Sequence, residues 1–561
     1  MDGPQASRRS VLKLAMAAGA ASAVGLMSAR PAAAGPAPAP LAPAPVAAPG
    51  PGTIAGARSG GGVTTVWTAQ PQSLDPAIGW DSPSWEALEM VFTTLLQFGG
   101  QYGQPAPSAA VAMPEVSPDG TVVTVRLRPD VRFHNGRAVV ADDYIYAWTR
   151  VLRADLASWA SSYLLGIVGA QDYYDGKADS VSGLQAVDSH TIRITLTAPD
   201  ITFVGLLCQP YSAAVPREVI EDIGETEFAR RPVGTGPFRV TSWDDRNRQI
   251  QFDRNPDYFW KGTPLLDRVT YRWGIVPELQ VLQIQGGVAD IAGDGLTANQ
   301  SALLRSQGSD GERYMQPISV LGVQWVAMNV VNGPLSNRDV RKALDLATDR
   351  RQLSRIAFNT NEPWSLAFPK ALPNYTRTAT QVDYDPDRAR RMLKDAGFSS
   401  PIRLEFLQGE DAPWPNFAQI LQQQWADVGV EISIRSMGKA AFDTATVNQQ
   451  GDLYGTRYFL GQPTGIDMVA SNFVTGASMN YTGYSNPKVD DLTAAAKEAR
   501  TEQESNGLVA QIEQVLKDDA AGIFVGNLNF IAGRSLRLRN YQYRGEVGTY
   551  YDRLWIGKGQ D

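Results

Sequence analysis

The chain has 561 residues, 43% hydrophobic and 19% charged, a composition that builds packed cores and not a disordered polymer. One cysteine (Cys208) and two histidines (His134, His190) exclude an intrachain disulfide and leave any Cys/His zinc site with three scattered ligands at most. A net charge of −7, with no long basic run beyond the N-terminus, speaks against nucleic acid as a partner.

Ser7-Arg8-Arg9-Ser10-Val11-Leu12-Lys13 opens the chain, followed by an Ala-rich apolar run to Met27 and by Ala32-Ala33-Ala34. This predicts a twin-arginine signal peptide over 1–34, cleaved after Ala34. Its apolar run of about 15 residues falls short of the roughly 20 that span a bilayer; an uncleaved anchor is the alternative. No cysteine follows the run, so lipid attachment through a thiol is unavailable. Residues 35–62 are almost all Pro, Ala and Gly, the composition of an extended tether.

From Val63 the chain alternates strand-like and helix-like segments with no internal repeat, which predicts an α/β fold. Val63–Trp67 reads as a strand and Trp85–Leu96 as an amphipathic helix with Leu88, Val91, Phe92, Leu95 and Leu96 on its apolar side. Val122–Leu127 alternates as a strand, and Asn135-Gly136 marks a tight hairpin turn beside His134, whose expected role is structural or solvated. Asp142 and Asp143 fall at a helix start, where carboxylates satisfy free N–H groups. Thr191–Leu196 and Gln249–Arg254 read as strands; Arg338–Thr348, Pro386–Ala396, Phe417–Val428 and Val489–Ala499 read as helices. Two of these helices end on Gly397 and Gly429 and run into the strand-like segments Ile402–Phe406 and Val430–Ile434, so the second half should form an open α/β lobe.

Enzyme motifs are missing. Neither Gly-x-Ser-x-Gly nor His-Glu-x-x-His occurs. Gly169–Lys177 approaches a phosphate loop, but its spacing is too long and Ala178 stands where a hydroxyl would hold magnesium. Gly234-Thr235-Gly236 is followed by Pro237 and a strand, so it is a tight turn and not a dinucleotide fingerprint. No cofactor is expected.

Several segments in fixed order carry a resemblance. They are Ser73-Leu74-Asp75-Pro76, Ser117-Pro118-Asp119-Gly120-Thr121, Phe133-His134-Asn135-Gly136 with Ala141-Asp142-Asp143, and Pro232-Val233-Gly234-Thr235-Gly236-Pro237-Phe238. Arg254-Asn255-Pro256-Asp257-Tyr258-Phe259-Trp260, Arg341–Asp345 with Asp349-Arg350, and Tyr484–Asp490 complete the series. Together they resemble the family 5 solute-binding proteins of ABC importers, a group that includes oligopeptide- and dipeptide-binding proteins.

The resemblance implies a two-lobed periplasmic-binding-protein-like fold of the large three-domain type, with a hinge and an interlobe cleft. Lobe I would comprise 63–104, 232–318 and 531–561, with a peripheral domain over 105–231; lobe II would be 319–530. The implied protein is exported, works outside the cytoplasmic membrane as a monomer, carries no catalytic or metal site, and hands its solute to membrane permease subunits.

The ligand-contacting segments implied are Trp80, Asp81 and Ser82 with Trp159 on the first lobe, facing Arg457, Tyr458, Phe459, Leu460 and Gly461 on the second. The latter would pair with an extended ligand as an added strand. Peptide-binding members place an Asp at about the position of Gly461 to hold the ligand's amino group; Asp467 or Asp81 is the candidate substitute. An oligopeptide is therefore the expected ligand. The alternative is an oligosaccharide or other neutral solute stacked on Trp80, Trp159 and Tyr458.

Overall fold

The computed structural model describes residues 54 and 56–557, apart from 100–103, 358–360, 399–400, 410–413 and 545–547. The expected signal peptide and most of the expected tether lie outside the described residues.

An eleven-stranded sheet runs through the molecule. Its order is Val430–Met437, Ile402–Gly409, Leu453–Phe459, Met315–Met328, Gly522–Arg534, Ile291–Ala292, Gly62–Val66, Arg268–Arg272, Gln249–Arg254 and Phe238–Asp244, with Asn361–Pro363 pairing off the path onto Gly522–Arg534. The two long antiparallel strands at its centre belong to both lobes. Met315–Ser319 pair with Asn529–Gly533, Val323–Ala327 pair with Gly522–Asn527, and the register slips between Ser319 and Val323. Such an irregularity interrupts the ladder and lets a ribbon bend. The cores change at the same point: Ile318 and Val320 pack with the first lobe, Leu321 and Val323 with the second.

The first lobe carries a smaller antiparallel sheet of Glu115–Val116, Val122–Arg126, Thr191–Thr195 and Leu184–Asp188, packed with the helix Ala141–Val151. Val123, Tyr144, Trp148 and Ile192 of this region share one core with Val63, Leu88 and Val269, so it is fused to the lobe and not tethered to it. A buried ion network reinforces the junction. The Arg150 guanidinium, 1% exposed, binds the Asp75 carboxylate, 0% exposed, and also reaches Glu225. Asp75 in turn accepts the Ile78 and Gly79 N–H groups at its carbonyl, so the network holds the loop that leads to Trp80.

The Gly234–Phe238 turn enters the strand Phe238–Asp244 as expected, and the reason for its glycines is close approach. A Cβ at Gly234 would lie 2.0 Å from the Val91 carbonyl oxygen, and one at Gly236 would lie 2.5 Å from that of Met90. His134 has the structural role: Gly234 N–H donates to its Nδ1 (3.2 Å) and its Nε2–H donates to the Gly236 carbonyl (3.1 Å). Burial holds its pKa down at about 4.

Most predicted elements form within a few residues of their expected limits, and Gly397 and Gly429 adopt φ of +90° and +91°, as helix-ending glycines do. The expected helix Trp85–Leu96 is instead Ser82–Val91. It starts early because Asp81 accepts the Ser84 N–H and Pro83 suits the first turn. It stops early because Gly236 N–H takes the Val91 carbonyl (2.8 Å), and Thr93 N–H turns to the Thr235 hydroxyl (3.0 Å). At the helix Ala141–Val151, Asp143 accepts the Val140 N–H (2.9 Å) while paired with Arg137, so this carboxylate does cap, from inside the first turn.

Candidate functional site: the crevice at the ends of the parallel strands

In the second lobe the chain leaves Ile402–Gly409, crosses through the helix Trp414–Ala426 and returns as the parallel strand Val430–Met437. It then crosses through Lys439–Val447 and returns as Leu453–Phe459 on the other side of Ile402–Gly409. The two crossovers pack on opposite faces, Phe417 and Leu421 with Leu453, Ala445 and Phe442 with Tyr454. The strand order therefore reverses between Ile402–Gly409 and Leu453–Phe459, and in open α/β sheets ligands bind outside the carboxyl ends at such a point.

Pairing across this gap is confined to Phe406–Leu453 and Leu407–Tyr454. Beyond Tyr454, among the described residues, no strand pairs with Gly455–Phe459 on that side, while the other side is fully paired to Met315–Met328. The segment Gly455–Phe459 thus lines the crevice. Strand alternation turns Arg457 and Phe459 outward, Phe459 being 45% exposed, and turns Tyr458 inward, 8% exposed. Leu460 is fully buried and continues the pairing through its N–H to the Leu321 carbonyl (2.8 Å).

Asp467 lies in the first turn of the helix Gly465–Asn472. Its Oδ2 accepts the Gly461 N–H (2.8 Å) and the Tyr458 hydroxyl (3.0 Å), which also meets Ser471 Oγ (3.2 Å). A Cβ added at Gly461 would sit 3.7 Å from Asp467 Oδ1, so a carboxylate stands beside the position where the sequence lacks one. Burial pushes the Asp467 pKa up to about 6, against the opposing pull of the Gly461 N–H, the Tyr458 hydroxyl and the Lys497 charge. The Tyr458 pKa rises well above its usual value through burial, then through the Asp467 charge and through Tyr163 across the crevice.

Tyr163 belongs to an aromatic cluster on the first lobe. Trp159 packs on Trp85 (5.6 Å between centroids) and lies edge-on to Tyr163 (6.0 Å) and Tyr211 (5.4 Å), which stack on each other. The Trp159 Nε1–H is buried without a hydrogen-bond acceptor. The loop before this cluster is held by Trp85 Nε1–H to the Gly79 carbonyl (3.1 Å) and by Ser158 Oγ to the Ala77 carbonyl (2.6 Å).

On that loop Trp80 is 37% exposed, and among the described residues its backbone N–H and C=O make no hydrogen bond. Ser82 is exposed at the helix start. Asp81 is committed to the helix cap and to the Gln72 N–H, with its pKa raised by burial. The structure thus brings together Trp159, Tyr458, Gly461 and Asp467. Trp85, Tyr163, Tyr211 and Ser471 join them without having been singled out by any local pattern, since each is one aromatic or hydroxyl residue in a helix or turn.

Residues 104–480 match the family described as bacterial extracellular solute-binding proteins, family 5. The chain is 28% identical over 516 residues to the dipeptide-binding protein DppE of Bacillus subtilis (strain 168), covering 87% of this chain and 90% of that protein. Among solved structures, clavulanic acid biosynthesis oligopeptide binding protein 2 superposes with a TM-score of 0.81 at 23% identity, over 91% of this chain and 97% of that one. The DppA protein of Helicobacter pylori in complex with the peptide STSA gives 0.75 at 20% identity, over 89% and 99%. The chain belongs to the family 5 extracellular solute-binding proteins, with their two-lobed fold. No described helix is long and apolar enough to cross a membrane.

Proposed function

We propose that this protein is the solute-capturing component of an ABC importer, working outside the cytoplasmic membrane, which encloses an oligopeptide between its lobes and presents it to membrane permease subunits. The observation that carries this reading is the strand segment Gly455–Phe459 at the crevice of the parallel strands, ending at the buried Asp467 carboxylate. An extended peptide lies along a strand so placed, and its ammonium is the natural counter-charge for a desolvated carboxylate.

The proposed contacts are Arg457, Tyr458, Phe459, Leu460, Gly461 and Asp467 on lobe II (319–530), and Trp80, Asp81, Ser82 and Trp159 on lobe I (63–104, 232–318, 531–561) with its peripheral domain (105–231). Hinge bending at the register slip of the two shared strands closes the lobes, and no covalent step is involved. Relatives whose names specify dipeptides, di- and tripeptides and glutathione support the ligand class.

Thermal denaturation of the mature chain with peptides of two to seven residues, and separately with cello- and xylo-oligosaccharides, tests the reading. A ligand at about 100 times its Kd adds roughly 2.7 kcal/mol to stability. Stabilisation by peptides is the expected result; stabilisation by the sugars alone would overturn it.

A further inference from the structure

Two short helices on the first lobe present an uncharged, apolar outer side. Gln300 Nε2–H donates to the Pro277 carbonyl and Gln285 Nε2–H donates to Gln307 Oε1 (2.8 Å), so Pro277–Gln285 and Ala298–Ser306 lie side by side and parallel. Val281, Ile284 and Leu304 turn inward to one core. Val276, Leu279 and Leu282, spaced by three along one face, and Leu303 on the second helix therefore point outward, and with Val288 they are 46–58% exposed. A surface helix normally turns charged residues to this side. Residues 273–304 instead carry no Lys or Arg and only three acids, in a chain that is 19% charged. Asp290 is buried against Arg537, and Asp294 accepts the Thr68 N–H (2.7 Å) and the Gln280 amide (2.8 Å). Glu278 remains as the exposed acid of this segment with no ion pair among the described residues.

An exposed apolar patch of this kind marks a docking surface. Its five aliphatic side chains fall short of the ~20–30 residues a side that a stable interface between proteins takes, so the face suits one short segment and not a second copy of the chain. The sequence itself holds such a segment. Residues 14–27, outside the described residues, include no charged side chain and combine Leu14, Met16, Val24, Leu26 and Met27 with small residues, while Arg8, Arg9 and Lys13 precede them.

The chain enters the fold beside this patch. Gly62–Val66 runs parallel to Ile291–Ala292, and Asp290 N–H donates to the Thr64 carbonyl (2.8 Å), so Val288 stands next to the start of that first strand. Residues 28–61 join the apolar run to the strand, and a coil of that length reaches about 30 Å. The patch from Val276 to Val288 measures about 18 Å at helical rise, and residues 14–27 would measure about 21 Å at the same rise. A run laid with its Met27 end at Val288 brings Arg8, Arg9 and Lys13 to the opposite end, where Glu278 stands in the first helical turn. We propose that this helix pair is the docking face for the chain's own run 14–27. While residues 1–34 are attached, the run covers the five aliphatic side chains and its preceding cations meet Glu278, so the folded full-length chain exposes neither apolar surface; loss of 1–34 uncovers the face. This docking is independent of what the crevice holds.

Cross-linking in the full-length chain tests the proposal. In a Cys208→Ser background, Ala21→Cys combined with Leu282→Cys should form a disulfide under oxidised glutathione at least tenfold faster than Ala21→Cys combined with Thr241→Cys, an exposed position on the strand Phe238–Asp244 of the same lobe. Equal rates for the two pairs overturn the docking. Glu278→Lys should slow the first reaction at least threefold at low ionic strength; an unchanged rate overturns the direction in which the run is laid. A synthetic peptide of residues 7–27 should bind the chain lacking 1–34 and lose at least tenfold in affinity when Leu279→Glu and Leu282→Glu are combined, and undiminished affinity overturns the assignment of the face. Sedimentation of the chain lacking 1–34 as a dimer that Leu282→Glu dissociates would give the face to a second copy and overturn the proposal.

Discussion

Asp467 offers the sharpest test of how the crevice recognises charge. With its pKa pushed up to about 6 in the ligand-free protein, its ionised fraction falls from about nine-tenths at pH 7 to about one-tenth at pH 5. A peptide amine, titrating near 8, stays protonated throughout that range. A ligand that needs the carboxylate should therefore bind about tenfold more weakly at pH 5 than at pH 7, a loss of about 1.4 kcal/mol.

The same group acts on folding with a definite sign. Its folded-state pKa of about 6 lies above the ordinary 3.8. The stabilisation it contributes is thus complete below pH 4 and is lost as pH rises through 6, amounting to about 3 kcal/mol between the two limits. Asp467→Asn keeps an acceptor for the Gly461 N–H and the Tyr458 hydroxyl without the buried charge. It is expected to raise ligand-free stability at pH 7 by an increment that vanishes below pH 4, to weaken peptide binding, and to abolish the pH slope. Isothermal titration at pH 5, 6 and 7 together with urea denaturation measures both effects. A Kd that is flat from pH 7 to pH 5, or a slope that survives in Asp467→Asn, would refute the role assigned to this carboxylate.

Trp159→Phe retains a ring against Trp85, Tyr163 and Tyr211 but removes the unaccepted N–H; peptide affinity measured by calorimetry should fall about tenfold, the worth of one strong hydrogen bond, with little change in Tm. Gly236→Ala drives a Cβ against the backbone of Met90 and Val91, and urea unfolding should show a loss of about 3 kcal/mol. A loss below 1 kcal/mol would mean that the helix end yields. Arg150→Met strands the fully buried Asp75 carboxylate and should cost about 3–5 kcal/mol, most of it restored by adding Asp75→Asn. No recovery in the double variant would count against a charge effect.

Much of the scaffold could be read from local pattern. Gln249–Arg254 forms the strand its alternation predicts, and Gly397 and Gly429 end helices because their left-handed backbone is open to glycine at little cost. The Gly234–Phe238 turn and His134 were legible as structural features, although their reason, the backbone of Met90–Phe92 pressed against Gly236, is not local. The end of Ser82–Val91 departs from expectation for the same cause: a long-range bond from Gly236 ends that helix before its apolar periodicity does.

The site divides in the same way. Trp159, Tyr458 and Asp467 could be named in sequence, because side-chain chemistry belongs to the residue, whereas Trp85, Tyr163 and Tyr211 could not. Their working environment could not. Asp467 gains its raised pKa only when the helix Gly465–Asn472 folds back onto Gly461 and Tyr458. Gly455–Phe459 comes to line a crevice only because two crossovers diverge. Gln209 meets Gly461 only when two lobes come together. Short-range periodicity determines which segments become helix or strand, whereas desolvation and contacts between distant segments arise from packing, and those decide what the crevice can hold.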